Sequence, residues 1–178
     1  MADGGLSELA VQEGCIDAVN MMLDNGTEIE TRDSEGRTAL WLAAASGQTE
    51  VLRALVSAGA DVNAQRHDGV CALSVAFQNA HHEVVDVLLD NGAKIETTDI
   101  YGNTPLMIAA GAGKTDIVHE LVSAGSDINA QCHNGVSALA IASYKGQIDV
   151  VNMLLNYDTQ IDTRDNDGNT PLMFAAGL

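Results

Sequence analysis

Large rigid side chains are nearly missing from this sequence. Its 178 residues hold one Trp, three Tyr and two Phe. A core built on aromatic clusters is therefore excluded. Ala, Leu, Val and Ile must fill the interior instead, and a hydrophobic content of 46% is enough to do so. Basic residues are also scarce, eight against 25 acidic, for a formal charge of −17. Such a chain repels a phosphate backbone, so nucleic acid is a poor partner. A basic protein surface or peptide fits better, with an attraction that weakens in salt. The acids also serve to keep an Ala-rich chain soluble, and the sequence is compatible with both readings. Cys15, Cys71 and Cys132 are odd in number and lack disulfide spacing, which suits a reducing compartment, cytoplasmic or nuclear. The first 14 residues carry acids and no apolar run of secretory length, so no signal peptide is expected. No stretch approaches the about 18–20 apolar residues of a membrane span. By length, 1–178 is expected to be a single domain.

What the chain does have is glycine at a fixed interval. Gly36, Gly69, Gly102, Gly135 and Gly168 are each 33 positions apart, and the residues around them recur in register. A period of this size means a stacked array in which each unit buries its apolar face against its neighbours. Such an array offers a long surface rather than an enclosed pocket.

The stretch 99–131 shows what one unit contains. Asp99 to Asn103 is turn chemistry, with Gly102 free to take positive φ. Thr104 is placed to cap a helix, and Pro105 follows at the first helical position, where a missing N–H costs nothing. Leu106, Ile108, Ala109 and Ala110 make a short first helix whose small residues permit close neighbours. Gly113 ends it in a left-handed cap. Thr115 is expected to cap a second helix, with Asp116 favoured in its first turn. Ile117, Val118, Leu121 and Val122 trace one buried helical face. Gly125 closes that helix, and 127–130 runs out into an extended hairpin arm.

The runs TPLMIAAGAGKTDIVHELVSAGSDINA (104–130) and TALWLAAASGQTEVLRALVSAGADVNA (38–64) resemble ankyrin repeats, and the resemblance covers essentially the whole chain. It implies an all-α fold: an ankyrin-repeat solenoid of stacked antiparallel helix pairs with projecting β-hairpin loops. The units fall at about 1–32, 33–65, 66–98, 99–131 and 132–164, with a partial one at 165–178. It also implies a non-catalytic module that binds a partner protein or peptide on its concave face, without a cofactor. A different class of role fits the same sequence: a structural spacer, or a self-associating segment of a larger protein.

A second level of repetition is present. LVSAGADVNAQ (55–65) matches LVSAGSDINAQ (121–131), whereas VVDVLLDNGAKIETT (84–98) resembles VVNMLLNYDTQIDTR (150–164). Two repeat types alternate, as if a two-repeat cassette had been copied. Asn63 and Asn129 lie on one type; Glu30, Glu96 and Asp162 lie on the other. The first helix is expected over 6–13, with Ser7, Glu8, Gln12 and Glu13 on its exposed side. The last run, NTPLMFAAGL, stops inside a first helix. Repeat logic reads this as a fragment of a longer array; the other reading is a short protein whose last helix is protected by self-association. Otherwise a monomer is expected.

Some positions depart from the family pattern. The His that usually follows the Thr-Pro-Leu run is replaced by Trp41, Ser74, Met107, Ala140 and Met173, so apolar contact must substitute for its hydrogen bonds. Ala80 stands where Gly47, Gly113 and Gly146 end the first helix in other repeats, and Asn79 is expected to take the left-handed conformation in its place. Asp158 replaces a glycine seen at 26, 59, 92 and 125.

The resemblance places partner contacts at the hairpin tips and on the exposed side of each first helix. Carried onto this chain, the tips are Ser34 and Glu35, His67 and Asp68, Ile100 and Tyr101, His133 and Asn134, then Asn166 and Asp167. On the first helices, residues four apart share a face. The rows that result include Arg37 with Trp41, Gln78, Asn103 with Met107, and Tyr144. Ile100, Tyr101 and Tyr144 are the large side chains expected at the centre of a contact. Trp41 fits either a contact or a position half-buried between repeats. Hairpin asparagines such as Asn63 and Asn129 resemble positions hydroxylated in some ankyrin repeats, but a plain structural Asn in a turn is the favoured reading.

No catalytic, cofactor or metal site is expected. His67 and His133 are two repeats apart, about 20 Å at ~8–10 Å per layer, and cannot share an ion. His81 and His82 are adjacent and diverge. His67 lies four residues before Cys71, but no third group or oxyanion donor is implied. GAGKT (111–115) lacks the full phosphate-loop spacing and no strand precedes it.

Overall fold

The computed structural model describes residues 6–177, as two compact units, one running through Lys94 and one from Ile95. Among the described residues, six helices belong to the first: α1 (Glu8–Gln12), α2 (Ile16–Asp24), α3 (Ala39–Ala45), α4 (Thr49–Ser57), α5 (Ala72–Gln78) and α6 (His82–Asp90). Five make up the second: α7 (Pro105–Gly111), α8 (Thr115–Ser123), α9 (Ala138–Tyr144), α10 (Ile148–Asn156) and α11 (Pro171–Ala176). In the first unit α1, α3 and α5 stack in one layer and α2, α4 and α6 in another. In the second, α7, α9 and α11 form one layer, while α8 and α10 form the other.

The sequence explains why each first helix starts where it does. Thr38, Thr104, Ser137 and Thr170 hold extended φ/ψ, and their hydroxyls accept the N–H three residues on, at 3.3–3.4 Å. Each satisfies one of the donors a helix start leaves over. Ser7 does the same for α1, which is shorter than expected. Of its expected outward residues Glu8 and Glu13 are exposed, while Ser7 and Gln12 are half-buried. The second helices begin differently. Thr115 is the first residue of α8 rather than its cap; Lys114 holds the cap position, without a side-chain bond. The left-handed turn at Gly113 (φ 71°) brings Thr115 N–H to the Gly113 carbonyl at 3.1 Å, so the helix is already under way at residue 115.

The turn after α5 corrects another expectation. Ala80 itself takes the left-handed conformation (φ 58°), while Asn79 stays at φ −92°. The positive φ belongs to the second residue beyond the helix, where Gly47 and Gly113 have it. Asn79 instead uses its amide on the Ala45 carbonyl of the preceding repeat, at 2.8 Å. Asp158 is also left-handed, at φ 56°. The extended hairpin arms reduce to tight turns, with isolated bridges at Gln65–Cys71 and Gln131–Ser137.

Leu and Ala on the first helices and Leu, Val and Ile on the second fill the interior. Leu40, Leu52, Leu55, Leu73 and Leu88 are fully buried in the first unit, and Leu106, Ile117, Leu121 and Leu154 in the second. Trp41, Ser74, Met107 and Ala140, which replace the family's His, are buried.

Polar stitches join neighbouring repeats. Gln48 Nε2 donates to the Gln12 carbonyl at 2.8 Å, and Gln147 Nε2 to the Gly111 carbonyl at 3.3 Å. His81 Nε2 lies 3.2 Å from the Ala45 carbonyl. A second stitch runs along the loops. Glu30 accepts the Asp61 N–H at 2.9 Å, and Glu96 accepts that of Asp127 at 3.1 Å. Asn63 accepts the Lys94 N–H and Asn129 that of Gln160, both at 2.8 Å. The two alternating repeat types thus fill one register with a carboxylate and an amide in turn.

Candidate binding surface

The loops leading into the first helices are Asx-type turns. In the first unit Asp33 Oδ1 accepts the N–H groups of Glu35 and Arg37, each at 2.9 Å, and Oδ2 accepts Arg37 Nε at 2.5 Å. The far side of the Arg37 guanidinium reaches Glu8 Oε1 at 2.8 Å. Arg66 pairs with Asp68 in the next loop, and Glu35 Oε2 stands 3.8 Å from Arg37 and 3.7 Å from Arg66. Both guanidinium groups cover Trp41, at 6.0 Å for Arg37 and 5.2 Å for Arg66.

This network sets the charge states. Burial works against ionisation of Asp33, yet the hydrogen bonds from Arg37 and the Glu35 N–H outweigh it and hold the carboxyl below its ordinary value. For Asp68 the Arg66 hydrogen bond dominates over opposing burial, and the result is again a lowered value. Arg37 and Arg66 are correspondingly raised, each chiefly by its carboxylate partner.

The second unit builds the same turn without arginine. Asp99 Oδ1 accepts Tyr101 N–H at 2.9 Å and Asn103 N–H at 2.8 Å, while Oδ2 accepts Asn103 Nδ2 at 2.9 Å. Asp165 repeats this with Asp167 and Asn169. Burial works against its ionisation, yet the N–H donors of Asn169 and Asp167 together outweigh it and bring the carboxyl below its ordinary value. The tips are joined through the main chain. His133 N–H donates to the Tyr101 carbonyl, and Asn166 N–H to that of Asn134, both at 3.0 Å. Asn166 Nδ2 adds a bond to the His133 carbonyl. Close approach here requires glycine: a Cβ on Gly102 would stand 2.6 Å from the His133 ring.

The expected contact residues divide accordingly. Ser34, Glu35, His67 and Gln78 are exposed in the first unit, with Arg37 and Asp68 half-buried. Trp41 is only 8% exposed, and its Nε1 is buried without a partner. Its ring carries the two guanidinium groups. In the second unit Ile100 (54%), Tyr101 and Tyr144 (66% each) are exposed, as are His133 and Asn134; Asn103 is half-buried. Tyr144 meets the Phe174 ring edge-on at 6.1 Å, and the Lys145 ammonium lies 5.7 Å over it. Sequence reasoning missed Arg66 and Glu8. The Arg-x-Asp spacing at 66–68 signals the local pair, but the contacts with Glu35 and Trp41 come from another repeat.

Beside the Glu8–Arg37 pair is a cleft of about 230 Å³, lined in part by Leu6, Ile29, Arg32 and Leu42. Of its ionic groups, Glu8, Asp33 and Arg37 belong to the tip network, and Arg32 donates to the Gly36 and Gln65 carbonyls. Among the described residues, no three His, Cys, Asp or Glu are placed to hold a metal ion, and no helix is long and apolar enough to cross a membrane.

Paired short helices joined by bonded tips define a helical repeat protein. The residues decide which kind. The chain belongs to the ankyrin-repeat family: the family described as ankyrin repeats, three copies, matches residues 8–99, 66–132 and 106–178. Its fold class is the all-α ankyrin-repeat solenoid. Proteins of this family are generally protein–protein interaction modules and typically non-catalytic. No curated protein matches the chain.

Proposed function

We propose that this protein binds a partner protein or peptide, without catalysis, through its loop tips and the exposed side of its first helices, the surface that is concave in this family. One observation supports this above the others. First helices α7 and α9 bury nearly every apolar side chain, yet Ile100, Tyr101 and Tyr144 remain open at the tips and helix end. Large apolar groups left on one edge are the usual anchors of an interface. The formal charge of −17 favours a basic partner, steered by a field that salt weakens. Three free cysteines suit a reducing compartment, cytoplasmic or nuclear.

The test is affinity capture with the 178-residue chain, its Tyr101→Ala variant and Asn152→Ala on the outer helix α10. Capture lost with Tyr101→Ala and kept with Asn152→Ala supports the assignment; the reverse places the partner on the second helices.

The alternative, self-association or a spacer role, draws on one feature. Leu172 of α11 is 78% exposed, whereas its counterparts Leu40, Leu106 and Leu139 are buried. Sedimentation showing a concentration-dependent dimer that Leu172→Glu abolishes would favour it.

A further inference from the structure

The two-repeat alternation allows the tips of the two units to be compared residue by residue, at a shift of 66. Ser34 and Glu35 correspond to Ile100 and Tyr101, Arg37 to Asn103, Arg66 to Cys132, and Trp41 to Met107. The first tip is closed on itself: two guanidinium groups cover an aromatic ring, and Asp33, Asp68 and Glu35 neutralise them. In the second, both arginines are replaced by neutral residues. Asp99 has no guanidinium partner; its carboxyl accepts from the N–H groups of Tyr101 and Asn103, and beside it stand Ile100 and the exposed Tyr101 ring. The stretch 95–178 holds ten acidic residues against three basic. Of those three, Lys145 already lies over Tyr144 and Arg164 donates to the Gly168 carbonyl.

Resting on the binding role proposed above, we infer that the 99–103 tip is the recognition centre and that it takes an extended segment carrying arginine, or lysine, beside an apolar residue. The partner's cation lies over the Tyr101 ring within reach of Asp99, supplying in trans the group that Arg37 and Arg66 supply in cis over Trp41. Its apolar neighbour packs on Ile100. The pairing follows from complementary charge and from the affinity of guanidinium for an aromatic face. The first tip, whose two arginines already cover its ring and engage its carboxylates, contributes little.

Fluorescence anisotropy tests this with a short fluorescein-labelled peptide alternating arginine with leucine, its glutamate–leucine counterpart, and the whole 178-residue chain. The arginine peptide binds and the glutamate peptide does not. Tyr101→Ala weakens binding about tenfold, as loss of a central aromatic anchor does, while Tyr101→Phe retains it. Asn103→Arg restores the cis pairing with Asp99 and weakens binding severalfold, well beyond Asn152→Arg, which makes the same charge change on α10. Circular dichroism confirms equal helicity. Equal losses for Asn103→Arg and Asn152→Arg would reduce the effect to net charge and overturn the inference. A larger loss with Glu35→Ala than with Tyr101→Ala would move the centre to the first unit, overturning the inference while leaving the tip-binding role intact. No binding of the arginine peptide would overturn the partner chemistry alone; affinity capture through Tyr101 would still decide the role.

Discussion

Asn63 Oδ1 accepts the main-chain N–H of Lys94 at 2.8 Å, while its Nδ2 donates to the Gly92 carbonyl at 3.2 Å. One half-buried amide thus clasps the loop of the following repeat from both sides. Asn63→Ala removes both bonds and should lower stability by about 1–2 kcal/mol, since each is worth ~0.5–1.5 net. Asn63→Asp keeps the acceptor and loses the donor, so it should cost less. Urea unfolding of the two variants beside the parent checks the order.

Ala80 offers the opposite experiment. A left-handed alanine is strained by about 1–2 kcal/mol relative to glycine, part of which is returned through the greater freedom of an unfolded glycine. Ala80→Gly should raise the unfolding midpoint, by about 0.5–1 kcal/mol in stability. The converse, Gly113→Ala, should destabilise, because its φ of 71° is unfavourable and the new Cβ would press on the Gln147 side-chain carbonyl that the stitch to Gly111 holds in place.

The tip carboxylates predict an acid-dependent difference. Asp33 and Asp68 titrate below the ordinary carboxylate value when folded. Their contribution is complete above the unfolded value of about 3.9 and is lost as pH falls through the folded one. Asp68→Asn should therefore destabilise at pH 7, by under about 1 kcal/mol because the Arg66 pair is partly solvated. That gap should shrink by pH 3. Denaturant unfolding at the two pH values measures it; a gap unchanged at pH 3 would mean that the ionised carboxylate is not the source.

Helix α11 packs on α9 alone within its layer, and of its side chains only that of Pro171 is buried. Local opening there exposes little further apolar area, so its amides should exchange much faster than those of α7, which has five buried residues. Hydrogen exchange followed by mass spectrometry distinguishes the two. Equal protection in α7 and α11 would indicate that another surface covers Leu172.

Much of this was legible in the sequence, for a physical reason. Helix caps, left-handed glycines and buried faces are local features, and the 33-residue period repeats each of them, so Thr104, Gly102 and Gly113 were read correctly. Thr115 was misplaced by one position at the local Gly113 turn, whereas Asn79 was misread because its partner lies in another repeat. Asn79 had two options, a left-handed backbone or a side-chain bond to Ala45; only the neighbouring repeat decides between them. For Trp41 the sequence left a contact and a position between repeats both open; Arg66, 25 positions on, lies over its buried ring. Ile100 and Tyr101 were singled out from their bulk and from the tip position the resemblance gave them; both are exposed, and whether they bind anything is a matter for the peptide experiment.

The clasp register of Glu30, Asn63, Glu96 and Asn129 bears on how such a gene changes length. Each of these side chains grips a peptide N–H, a group every residue except proline presents whatever its side chain. The joint therefore does not inspect the identity of its neighbour. A copied cassette inserted in frame meets an acceptable partner at both seams without compensating mutation. Duplication thus becomes a nearly neutral event at these joints, and substitutions at the tips, such as those separating Glu35 from Tyr101, are left free to diverge.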